Sequence, residues 1–276
     1  MSSEESTGSE KEAAEELAEK VPPKKEARVK KETTPVKDFE TGVEGLDDAL
    51  GGGLPNRSLL LLIGAPGSHY TTFAQQILYN HVLRGEKVAY YIVENPSFDV
   101  MEDMAVYKWE LDKYLQNKSW IFINLLTPDM QELAELSPSP TSEAQVILSQ
   151  SLATLKKDFL SRAKDGRWTA LHASHLLLRY DFRDFLDAVL YMRLVTRHYA
   201  GVHFILVPTE VHEDQKINSL KHLADGVFEF SMQERGREYE GIFTVTKLRR
   251  TIHKTKTYSF LLSDKGMYIE RAERIT

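Results

Sequence analysis

The residues with the clearest chemical potential are Gly64-Ala65-Pro66-Gly67-Ser68-His69-Tyr70-Thr71-Thr72, set between an apolar run and a helical pattern. A glycine-rich turn at that junction turns backbone N–H groups toward an anion, and the following helix N-terminus adds partial positive charge. The complete phosphate cradle reads G-x-x-x-x-G-K-[ST]: the Lys neutralises the β/γ oxygens and the hydroxyl holds Mg²⁺. Gly64 and Thr71 keep their places, but His69 stands at the second glycine and Tyr70 at the lysine. The nine residues therefore predict a degenerate nucleotide site, weak or lost. Its residues are Gly64, Gly67, Ser68, His69, Tyr70, Thr71 and Thr72. The second-glycine position falls on His69, which is costly if the loop needs a positive φ there.

The elements that must position this loop are legible around it. Ser58 to Ile63 is a short continuous apolar run, and Thr71 to Arg84 has Phe73, Ile77, Leu78 and Val82 on one helical face. Lys87–Val93, Trp120–Leu125, Trp168–Ala173 and Val202–Val207 read as buried strands. Phe98–Leu115, Glu143–Ala163 and Phe182–Tyr199 read as helices, with a loop-rich stretch over Pro128–Pro140. Strands alternating with helices predict an α/β domain with a mainly parallel sheet covered on both faces. Gly226–Phe230, Ile242–Leu248 and Tyr258–Leu262 have no helix between them, which predicts an antiparallel β extension at the C-terminal end.

The flanks of the loop are more specific than the loop. Thr41-Gly42-Val43-Glu44-Gly45-Leu46-Asp47-Asp48-Ala49-Leu50-Gly51-Gly52-Gly53-Leu54-Pro55 precedes the first strand, and Thr71-Thr72-Phe73-Ala74-Gln75-Gln76 follows the loop. Together they resemble the single-domain KaiC-like members of the RecA superfamily, common in archaea. The resemblance extends to Val93-Glu94-Asn95-Pro96-Ser97, Tyr180-Asp181-Phe182-Arg183, Leu223-Ala224-Asp225-Gly226-Val227 and Lys247-Leu248-Arg249, over roughly residues 38–270. It implies a RecA-like P-loop NTPase fold. In such proteins the strand before the second motif ends in Asp, and here that position falls on Leu171. The family's paired acids become Glu94-Asn95, leaving Glu94 as a remnant acid. Lys247 and Arg249 match a basic pair that the family presents to the γ-phosphate of the adjacent subunit. With the lysine, the aspartate and one acid replaced, the expectation is a pseudo-ATPase that is not an enzyme and has no catalytic residue. Charge neutralisation dominates phosphoryl transfer, and each lost charged contact to phosphate removes about 1.5–3 kcal/mol. ATP and Mg²⁺ are accordingly not expected as cofactors. The implied role is regulatory or in signal transduction, through assembly with a protein partner: a second copy or an active KaiC-like paralogue. The alternatives are a residual nucleotide sensor or weak ATPase, and a DNA recombination or repair accessory.

Composition bounds these readings. The chain has 276 residues and carries 35 Lys/Arg against 41 Asp/Glu, a formal −6, which excludes a broadly basic nucleic-acid binder. The loop Thr209-Glu210-Val211-His212-Glu213-Asp214, where recombinase relatives contact DNA, is acidic here, so nucleic acid is not an expected partner. Lys247, Arg249, Arg250, His253, Lys254 and Lys256 form the basic run of the domain. There is no cysteine, which excludes disulfides, thiol catalysis and cysteine-held metals. His172 and His175 lack neighbouring acids and His69 with His172 makes only a bare pair, so no metal site is expected. Tyr79, Tyr90, Tyr91 and Tyr107 are assigned to core or interface. Residues 1–37 hold eight Lys/Arg and nine Glu with no aromatic residue, and are expected to be a disordered charged tail ahead of a single domain at 38–276. The longest apolar run, Leu59 to Ile63, is far short of the ~18 residues of a membrane helix. With no basic-then-apolar leader, the expected location is cytoplasmic.

Overall fold

The computed structural model describes residues 38–93, 97–127, 145–236, 238–251 and 257–270. The proposed tail at 1–37, the loop-rich stretch at 128–140, Glu94 and the basic residues at 253–256 lie outside them. Twelve strands are described. β1 (Asp38–Phe39) and β2 (Leu54–Pro55) form a small antiparallel pair. The others are β3 (Ser58–Gly64), β4 (Val88–Ile92), β5 (Trp120–Leu126), β6 (Gln145–Ser149), β7 (Trp168–His172), β8 (Val202–Pro208), β9 (Gly226–Arg235), β10 (Glu238–Leu248), β11 (Thr257–Ser263) and β12 (Gly266–Ile269). They make one sheet in the order β12-β11-β10-β9-β3-β8-β7-β4-β5-β6. Pairing is parallel from β9 through β3 to β6 and antiparallel from β9 to β12. This is the α/β architecture with an antiparallel extension that the sequence predicts.

The helices are α1 (Leu46–Leu50), α2 (Tyr70–Leu83), α3 (Ser97–Ala105), α4 (Asp112–Gln116), α5 (Leu152–Lys164), α6 (Ser174–Arg179), α7 (Phe182–His198) and α8 (Asp214–Leu223). β3 is buried at every residue because helices cover both of its faces, which is why it reads as an unbroken apolar run. Its Leu60 and Leu62 pack with Phe73, Ile77 and Leu78 of α2, whereas Leu59, Leu61 and Ile63 pack with α5, α7 and α8. Phe73 anchors α2 to the extension, with its ring 5.0 Å from Phe230, 5.7 Å from Phe228 and 5.9 Å from Phe243.

Two expectations need correction. The helix expected over Phe98–Leu115 is two, α3 and α4, broken where Lys108 takes φ 60° and Trp109 turns inward to stack on Tyr107 and Tyr79. The helix expected from Glu143 starts only at Leu152, because Gln145–Ser149 pairs with β5 as an edge strand. The Ser151 side chain then caps α5 by accepting from the Thr154 N–H at 3.1 Å. Val146 and Leu148 alternate inward while Ile147 faces out, a two-residue period that the longer apolar pattern hid. Helices α6 and α8 went unread. α6 is six residues long and follows β7 after Ala173 alone, and α8 begins in a polar loop.

Candidate functional site at the glycine loop

β3 delivers Gly64 to the C-terminal edge of the parallel sheet, level with Pro208 of β8 and Phe230 of β9. This edge is where open α/β sheets place their ligand sites. The loop then turns tightly: Ser68 N–H and Oγ–H both donate to the Ala65 carbonyl, at 3.0 and 2.7 Å, and Ser68 is buried. Gly67 (φ 81°) and His69 (φ 60°) are left-handed, so the position where the pattern asks for glycine does need a positive φ. His69 adopts it, at a cost of about 1–2 kcal/mol. Its carbonyl accepts from Phe73 N–H at 3.0 Å, and its ring meets Phe260 edge-on at 6.4 Å. Burial holds the His69 imidazole below its ordinary value, which favours the neutral form.

Tyr70 opens α2, and its ring lies over Gly64. A Cβ at residue 64 would sit 2.6 Å from Tyr70 Cδ1 and 2.3 Å from Ser68 Oγ. Tyr70 and Ser68 thus close over the floor of the loop. Thr71 and Thr72 follow in the first turn of α2, half-buried. No Lys or Arg occurs between Gly64 and Thr72.

β7 ends at the same edge of the sheet, separated from β3 by β8. Leu171 is fully buried with its side chain in the half of the core formed by α5, α7 and α8. His172 instead turns to the α2 side, where its Nε2 lies 2.7 Å from the Tyr90 hydroxyl, and Gln75 of α2 donates to that hydroxyl at 3.4 Å. Burial pushes His172 down to about 4 and holds the Tyr90 hydroxyl well above its ordinary value, so both are neutral. His175 lies on α6, away from the strand, and His69 and His172 have separate partners. Tyr90 and Tyr91 are core residues, and Tyr79 and Tyr107 pack against the core, as the sequence predicts.

Lys247 and Arg249 lie at the far end of the sheet from this loop, since β10 runs antiparallel and Lys247 pairs with Val227. A bulge between Val245 and Lys247 keeps Val245 and Leu248 both buried and leaves Lys247 half-buried and Arg249 exposed. Lys247 Nζ donates to the carbonyls of Lys221 (2.9 Å) and His222 (2.8 Å), closing the C-terminus of α8. Nearby, Asp225 is fully buried, accepts from Leu59 N–H at 3.2 Å and pairs with Arg197 (3.0 Å) and Arg193 (3.6 Å) of α7. Local sequence pattern alone assigns Asp225 no role. An acid inside the apolar run Leu223 to Phe230 was the signal that a cation must meet it.

A ten-stranded, mainly parallel sheet with a glycine loop joining its central strand to a helix defines the RecA-like α/β class. Comparison with known proteins places the chain within it. A family model described as "ATPase: KaiC" matches residues 39–274, and the chain belongs to that family. It is 23% identical to a UPF0273 protein of Thermotoga maritima over 86% of this chain and 98% of that one. It is 24% identical to a UPF0273 protein of Aeropyrum pernix over 83% and 92% of the two chains. With the circadian clock protein KaiC3 of Synechocystis it shares 30% identity over 35% of this chain and 19% of that protein. Among solved structures, the KaiC-like protein of Pyrococcus horikoshii superposes with TM-score 0.69 at 19% identity, covering 86% of this chain and all of that one. That likeness carries the fold.

Proposed function

We propose that this KaiC-family chain is a non-catalytic member that works by binding other proteins, in a regulatory or signal-transducing role. The observation that carries the reading is the Tyr70 ring over Gly64 at the head of α2, next to a His69 that burial favours in its neutral form. A triphosphate with Mg²⁺ needs cationic neutralisation at that point, and neither side chain supplies it. The residues present do not fit the nucleotide–metal group. Leu171 at the metal-positioning place and Glu94 as the single remaining acid support the same conclusion.

Assembly is where the surviving basic residues act. Lys247 and Arg249 stand at the opposite end of the sheet from this chain's own loop, so a loop they served would belong to a neighbour, either a second copy or an active KaiC-like paralogue. Lys247 is engaged with the end of α8, whereas the Arg249 guanidinium is exposed. The reading is tested by ATP turnover and by equilibrium binding of ATP with Mg²⁺. Neither is expected above background in the purified protein. Turnover that disappears in Thr71→Ala would overturn the proposal and establish the weak-ATPase alternative.

A further inference from the structure

Helices α7 and α8 cover the same face of the sheet, and an open groove of ≈640 Å³ lies between them. Leu186 of α7 forms one wall, and Gln215, Asn218, Ser219, His222 and Leu223 of α8 form the other. Leu190 and Leu194 follow Leu186 at four-residue steps along α7 and are 38% and 61% exposed, so the apolar wall continues outward into solvent. Gln215, Asn218 and Ser219 carry no charge. The groove combines an apolar strip with a polar but neutral one.

Its ends differ in charge. At the head of α8 stand Glu213 and Asp214. At the other end Arg193 and Arg197 flank Leu194 on α7, and Lys247 sits against the last carbonyls of α8. Arg249 and Arg250 stand beside them; Arg193, Arg197, Lys247 and Arg250 are all in range of the one buried carboxylate of Asp225, with Asp38 a further acid in range of Arg250. Burial first, then Arg249 and Arg193, hold the Lys247 ammonium below its ordinary value, a sign that cations are crowded there. The Arg193 Nε is buried without a hydrogen bond. On a chain of net charge −6 this is a local electropositive end, effective within about a Debye length of 10 Å.

We infer that the α7–α8 groove is a docking site for a partner peptide that is apolar along its length and acidic at one end. Aliphatic side chains seat against Leu186, Leu190 and Leu194, and carboxylates reach Arg193 and Arg197. The opposite charges at the two ends fix the direction of the peptide, because the reverse orientation sets acid against Glu213 and Asp214. This site is separate from the glycine loop and stands whether or not nucleotide binds there.

The test uses the full chain and a fluorescein-labelled peptide, Leu-Ala-Ser-Leu-Leu-Ala-Ser-Leu-Glu-Asp-Glu-Asp, followed by anisotropy. A control peptide has lysine in place of every acid. The expected result is binding of the acidic peptide only, weakened by salt, reduced at least about tenfold by Leu190→Glu and several-fold by Arg197→Gln. Leu190 is exposed, so the variant should keep its melting temperature, which circular dichroism checks. Equal binding of the lysine peptide, no binding of either, or indifference to Leu190→Glu overturns the inference. An oligothymidylate that binds in a salt-dependent way while Leu190→Glu changes nothing would assign the surface to phosphate instead, and equally overturn it.

Discussion

Tyr70 and Gly64 are a matched pair: the bulky ring at the head of α2 is tolerated because residue 64 has no side chain. Gly64→Ala places a methyl 2.6 Å from the ring and 2.3 Å from Ser68 Oγ, and should cost about 1–3 kcal/mol from overpacking. Pairing it with Tyr70→Ala and Ser68→Gly should recover part of that loss, which urea unfolding of the single and combined variants measures. If Gly64→Ala alone is neutral, the ring does not lie over the loop. Asp225 is the second residue on which much depends. It is fully buried, and removing its charge leaves Arg193 and Arg197, one turn apart on α7, without their shared carboxylate. Asp225→Asn is expected to cost at least about 2 kcal/mol, less than a wholly buried pair because Arg197 is partly exposed to water. A double-mutant cycle with Arg197→Met tests this, a coupling near zero being the contrary result.

Among the elements, α2 matters most, since it carries the loop at one end and the contacts to the antiparallel extension along its length. Phe73 meets three phenylalanines of β9 and β10, and Gln76 ties to β12 by donating to the Met267 carbonyl at 2.9 Å and accepting its N–H at 2.7 Å. Phe73→Ala should therefore destabilise the protein by about 3–5 kcal/mol. It should also raise hydrogen exchange in β9 and β10 more than in β4 and β5, and uniform exchange would contradict the proposed anchoring. The contrast between α5 and its capping strand is instructive here. Leucines 148, 152 and 155 fit a helical period, yet Ser151 starts the helix and the residues before it extend the sheet. A hydroxyl placed to cap an N-terminus was a better guide to the boundary than periodicity.

For the whole molecule, the test with the widest reach is acid stability. His81, His172 and His203 are enclosed, and burial is the leading cause that pushes them to about 3, about 4 and about 3. Each is neutral in the fold and regains its ordinary value of 6.5 on unfolding, so below pH 6.5 the unfolded chain binds more protons. Stability is full above that pH and falls as pH drops toward the folded values, by up to about 1.4 kcal/mol per unit for each histidine. The urea midpoint at pH 5 should lie well below that at pH 7.5, and His203→Phe should lessen the difference. Equal midpoints would show that the three rings are hydrated in the fold. At this scale no helix among the described residues is long and apolar enough to cross a membrane.

What the sequence determined by itself was the alternation of the central strands and helices, the parallel sheet with its antiparallel extension, and the loop that lacks a cation. These follow from local patterns: a buried strand must be apolar throughout, and a phosphate cradle must carry its lysine at one fixed spacing. Tertiary structure alone decided which side chains turn toward one another. That His172 rather than Leu171 shares the α2 side depends on the register of β7 against β4 and β8. That Asp225 meets Arg193 and Arg197 depends on α7 and β9 arriving together at the end of β3, from positions about thirty residues apart in the chain. Periodicity reports the face a residue occupies on its own element. Pairing between elements is set by packing, and it appears only when the chain has folded.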